Sequence, residues 1–142
     1  MRPTLFILVI CLIFSCVTSI QSGDRTRFKK LNGTWIPVNQ EMGGKVFPEA
    51  VYKNQKLIIQ DTLYTVIAES TDKGVVKFKD DKMDIYGKEG VNAGKHFTAI
   101  YKLENDQLTV CYNLLGDVYP VAFETRTKPL LFLSVFKKEL SN

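Results

Sequence analysis

At 142 residues the chain has room for one domain of ordinary size and not for two. Hydrophobic residues at 45% and charged residues at 24% exclude a disordered or fibrous chain. The formal charge is +4, but the lysines are scattered and interspersed with acids, as in Lys79-Asp80-Asp81-Lys82. Nucleic acid requires a focused basic face, so no nucleic-acid partner is expected.

In chain order, Arg2 precedes an uninterrupted apolar run from Leu5 to Phe14, followed by the small and polar residues Ser15 to Ser19. This is the layout of a secretory signal peptide over residues 1–19. The run is only about half the length of roughly 20 apolar residues that a spanning helix needs. The mature protein is therefore expected outside the cytoplasm, whether periplasmic, secreted or lipid-anchored. Two processing sites stay open. Ile13-Phe14-Ser15-Cys16 resembles a bacterial lipobox, which would lipidate Cys16; Val17 and Ser19 suit ordinary cleavage after Ser19. A lipid anchor is the one membrane contact expected. Of the three cysteines, Cys11 and Cys16 fall in the signal, which leaves Cys111 without an intramolecular disulfide partner in a soluble mature form.

Residues 20–30 are polar and read as a leader. Beyond them the sequence alternates between turn residues and short apolar-polar strands. Strands are predicted near Thr34–Gln40, Lys56–Gln60, Thr62–Ser70, Gly74–Lys79, Met83–Tyr86, Phe97–Glu104, Gln107–Leu114, Tyr119–Thr125 and Leu130–Lys138. Asp72-Lys73-Gly74, Asn105-Asp106 and Gly116-Asp117 are among the separators, and the helical candidate is a turn or two around Pro48 to Tyr52. Many short strands in meander order predict an all-β barrel or sandwich.

One hairpin can be set in register. Asn105-Asp106 suits a two-residue loop, so Glu104 pairs with Gln107, Leu103 with Leu108, Tyr101 with Val110, Ala99 with Tyr112 and Phe97 with Leu114. The four pairs from Leu103–Leu108 to Phe97–Leu114 share one face, and Lys102–Thr109, Ile100–Cys111 and Thr98–Asn113 fall on the other. The first face reads as core and the second as mostly polar and wet.

These blocks resemble a known family. Leu31-Asn32-Gly33-Thr34-Trp35 is similar to the "L-x-G-T-W" opening of lipocalin-like domains, and Ile100 to Cys111 resembles a second block of an uncharacterised lipocalin-like family common in Planctomycetes. Tyr119-Pro120 stands where that family has Arg-Pro, and Leu131 to Lys138 resembles its closing strand. The resemblance spans residues 31–139. It implies a barrel of about eight strands in an exported, often lipid-anchored protein, with Trp35 plugging the base.

Chemistry-bearing residues are few. His96 is the single histidine, so a zinc site lacks its ligand set, and the spacing of Asp80, Asp81, Asp84 and Glu89 misses a calcium loop. No phosphate-binding glycine loop or nucleophile elbow is present. Catalysis would need Cys111, His96 and a carboxylate to converge. No catalytic residue, metal or cofactor is expected.

An eight-stranded barrel can be filled by its own side chains or hold one small ligand. The aromatic residues Tyr64, Phe78, Tyr86, Tyr101, Tyr112, Phe123, Phe132 and Phe136 are numerous enough for either. The leading expectation is a binding module for a small apolar molecule, lined by Phe97, Tyr101, Val110 and Tyr112 with Trp35 closing the base. The rival is a non-catalytic interaction domain with a filled barrel. An interior void of a few hundred Å³ separates the two.

Overall fold

The computed structural model describes residues 22–140. The signal segment and Cys16 lie outside them. The chain runs α1 (Ser22–Lys29), β1 (Gly33–Met42), β2 (Lys45–Val46), α2 (Glu49–Tyr52), β3 (Lys56–Gln60), β4 (Leu63–Ile67), β5 (Thr71–Lys79), β6 (Lys82–Glu89), β7 (His96–Glu104), β8 (Gln107–Asn113) and β9 (Leu131–Lys138). Neighbours pair antiparallel in sequence order, β1 pairs with β3, and β9 returns to β1, which closes an eight-stranded meander barrel. The two-residue β2 only extends the β1 hairpin.

The connections sort by length to the two ends. At one end the β3–β4, β5–β6 and β7–β8 hairpins turn on Asp61, Asp80 and Asn105-Asp106, all at positive φ (55°, 55°, 48° and 58°). Asn and Asp tolerate that conformation better than most side chains, so turn chemistry fixes this end. The longer connections all lie at the opposite end. The β7–β8 register from Glu104–Gln107 through Thr98–Asn113 is the one the sequence predicts.

The tight-turn end is sealed. Leu31 and Trp35 are fully buried, and the Trp35 indole Nε1–H donates to the Leu31 carbonyl at 2.7 Å. Residues 22–29, read as a polar leader, form α1, and its Phe28 stacks on Phe78 with ring centroids 4.9 Å apart. Phe78 in turn meets Tyr101 edge-on, and the Tyr101 hydroxyl donates to the Asp80 carbonyl at 3.0 Å. Gly33 sits at φ +133°, where a Cβ would crowd the Lys138 side chain lying over Trp35.

Two expectations are corrected. Tyr119–Thr125 is not a strand but part of the irregular connection 114–130. Both edges of β8 and of β9 are already paired, and Pro120 lacks an N–H, so the segment has no ladder to join. It packs instead on the outer face of β7, β8 and β9. Tyr119 and Phe123 cover Ile100, Cys111, Leu131 and Leu133, which form a second apolar cluster outside the barrel. The face expected to be wet is thereby buried: Thr98, Thr109 and Asn113 are each 5% exposed or less. Coverage on both sides also explains why β9 reads as a near-continuous apolar run.

Cys111 is completely buried in that cluster. Burial, more than any neighbouring charge, pushes its thiol pKa up, so the reactive thiolate is scarce. Native protein at neutral pH is expected to resist a disulfide reagent such as DTNB and to react fully after denaturation. Rapid labelling of the folded protein would contradict this packing.

Candidate ligand cavity

Strand alternation sends Leu57, Ile59, Tyr64, Val76, Met83, Ile85 and Val110 inward. A β-bulge between Pro37 and Asn39 shifts the phase of β1, so Gln40 also faces the interior above the tryptophan. These side chains do not meet across the axis. They enclose a cavity of about 660 Å³, within the size range of small-molecule sites.

The rings stay out of the middle for identifiable reasons. Phe78, Tyr101 and Trp35 are taken up by the floor. Tyr112 stacks on Phe132 at 5.7 Å, and Phe47 follows at 6.3 Å, so three rings lie along one wall instead of projecting across it. Tyr86 and Phe123 point outward, against His96 and the outer cluster respectively. Tyr64 lies over Gly74, where a Cβ would press into its ring and into the Tyr86 carbonyl oxygen. The interior above the floor is left open.

Of the residues expected to line the barrel, Phe97, Val110 and Tyr112 border the cavity. Trp35 and Tyr101 lie in the closed base beneath it and do not border it. Sequence reasoning missed Gln40, Tyr64, Asp72 and Phe132, which also border it. The signal for Asp72 was available: it alternates with Gly74, Val76 and Phe78. Reading Asp72-Lys73-Gly74 as a turn truncated β5 and hid that phase.

At the open end the wall becomes polar. The Gln40 Nε2–H donates to Gln55 Oε1 at 2.8 Å, tying α2 and its following turn to β1. The Tyr52 hydroxyl donates to the Val38 carbonyl at 3.2 Å, and Asp72, Asn92 and Lys95 lie on the opposite side of the opening. Burial raises the Tyr112 hydroxyl pKa, as it does that of Tyr64, to which the Asp72 charge adds.

His96 and Cys111 are not brought together. His96 Nε2 is 2.9 Å from Asp84 Oδ1 outside the barrel, while Cys111 pairs with Ile100, four residues further along β7, about 13 Å away by strand rise. Among the described residues no three His, Cys, Asp or Glu side chains gather as a metal site would require.

The His96–Asp84 pair latches the covering loop. The Tyr119 hydroxyl donates to Asp84 Oδ2 at 2.6 Å. Burial alone would raise the Asp84 carboxyl pKa, but hydrogen bonds from Tyr119 and His96 and the nearby positive charges outweigh it and hold it below its usual value. The same hydrogen bond pushes the Tyr119 hydroxyl up to about 12 from 10.0. The carboxyl's contribution to stability is thus present at neutral pH and lost as pH falls through its lowered value. The tyrosine's is present below pH 10.0 and lost toward about 12. Tyr119→Phe is expected to flatten both limbs of a plot of Tm against pH. Limbs as steep as in the parent would contradict the latch.

No protein-family model and no curated protein matches this chain. Among solved structures it is similar to an uncharacterized protein from Bacteroides eggerthii DSM 20697, with a TM-score of 0.51 at 14% identity, over 76% of this chain and 98% of that one. At that identity the likeness is one of fold: a β-barrel architecture shared along nearly the whole of the other protein.

Proposed function

We propose that this chain is an exported, non-catalytic binding protein that holds one small apolar molecule inside its barrel. The observation that carries the reading is the apolar cavity of about 660 Å³, closed below by Trp35 and its neighbours and open at the end where the longer connections lie. A filled interaction barrel would leave no such space. The signal-like layout of residues 1–19 supports export, with either a lipid on Cys16 or a free N-terminus after Ser19. The resemblance of residues 31–139 to an exported lipocalin-like family supports the export half of the reading.

The test is the intact mass of the mature protein, purified from membrane and soluble fractions of its own cells, under native and then denaturing conditions. A mass excess lost on denaturation is the expected result. An excess that survives and maps to Cys16 establishes the anchor. Bare mass under native conditions, together with failure to take up an apolar probe, would overturn the binding reading.

A further inference from the structure

The cavity wall carries one carboxylate, and among the described residues it has no ion-pair partner. Asp72 is the inward residue near the open end of β5 and is only 5% exposed. Its Oδ1 accepts the Asn92 backbone N–H at 2.9 Å, and among the described residues nothing else donates to the carboxylate. Of the two lysines on the cavity rim, Lys56 Nζ is 2.8 Å from Glu139, and Lys95 Nζ donates to the neutral Asn92 Oδ1 at 3.2 Å on the Asp72 side of the opening; neither forms an ion pair with Asp72. Among the described residues no fully buried side-chain oxygen lacks a partner, so Asp72 Oδ2 keeps some accessible surface, and Asp72 lines the cavity.

Tyr64 stands on the neighbouring strand, paired with Gly74 two residues deeper than Asp72. Its hydroxyl also has no hydrogen-bond partner among the described residues. Burial, and secondly the Asp72 charge, raise its pKa, which places phenol and carboxylate within electrostatic reach of one another.

A buried carboxylate with one hydrogen bond is poorly served by an uncharged apolar guest, which displaces water from it and returns nothing. An anionic guest adds repulsion. A cationic donor supplies both the missing hydrogen bond and the opposite charge, the strongest pairing available to it. Resting on the apolar-ligand reading above, we infer that the cavity selects an apolar molecule bearing a single protonated amine, with the ammonium on Asp72 Oδ2, the Tyr64 hydroxyl beside it, and the hydrocarbon part toward Ile85, Val110 and Phe136.

The experiment displaces a neutral fluorophore, N-phenylnaphthylamine, from the mature chain at neutral pH with decylammonium, decanol and decanoate. These share one tail and differ in the head. Decylammonium is expected to bind at least about tenfold more tightly than decanol, with decanoate weakest. Asp72→Asn keeps an oxygen for the Asn92 N–H, and should abolish the preference, leaving decylammonium bound no more tightly than decanol. Equal binding of amine and alcohol by the parent, or an amine preference that survives in Asp72→Asn, overturns the inference and leaves the apolar-ligand reading intact. Failure of the fluorophore and all three competitors to bind overturns that reading, and this one with it. Should Asp72→Asn not fold, the order of the three heads on the parent protein decides alone.

Discussion

Val110→Trp is expected to weaken uptake of a neutral apolar fluorophore by at least about tenfold while the barrel remains folded. Val110 is 1% exposed, points inward from the middle of β8, and borders the cavity just above the floor. An indole there has room to enter, because no side chain of the parent fills the space it takes. The overpacking that costs roughly 1–3 kcal/mol in a filled core is thereby largely avoided. Its cost falls on the guest, which loses the lower part of the cavity; a loss of about 1.4 kcal/mol in binding is already tenfold. Probe titration and a thermal melt on the same sample separate the two effects. A variant that binds as well as the parent would show that the probe sits elsewhere; one that unfolds would show that the interior is tighter than described.

Trp35→Ala is expected to destabilise the protein by about 3–5 kcal/mol. The ring is fully buried between Leu31, the β1–β9 seam and Lys138, whose Nζ lies 5.2 Å from its centroid. Removing it opens a void in the sealed end and leaves the Leu31 carbonyl without its donor. Trp35→Phe divides these contributions: it keeps most of the apolar volume and loses the hydrogen bond, for an expected cost of about 1–3 kcal/mol. Chemical denaturation of the three proteins measures both steps. A Trp35→Ala variant within about 1 kcal/mol of the parent would contradict the role of the tryptophan as the keystone of the floor.

What the sequence made legible was whatever local chemistry decides. The β7–β8 pairing followed from a two-residue Asn-Asp loop and strict alternation, since a slip of β8 by one residue would turn Leu108, Val110 and Tyr112 together to the outer face. The sealed and open ends were not legible, because they depend on how connection lengths distribute around a closed barrel. The segment from Tyr119 to Thr125 has strand-like residues but no available edge, a fact that exists only once β9 has met β1. A hint of its covering role was nonetheless present in Ile100 opposite Cys111, an apolar pair on a face otherwise polar. Whether aromatic residues fill or line a barrel is likewise a matter of where they stack. The Tyr112–Phe132–Phe47 row along one wall joins three separate segments and has no signature in any of them.

Whether the barrel interior is a binding site is decided by equilibrium titration with N-phenylnaphthylamine, followed by fluorescence. Saturable enhancement at one probe per chain is expected, reversed by decanol or decylammonium and strongly reduced in Val110→Trp. A signal that rises without saturating, or that is unchanged in Val110→Trp, would contradict it.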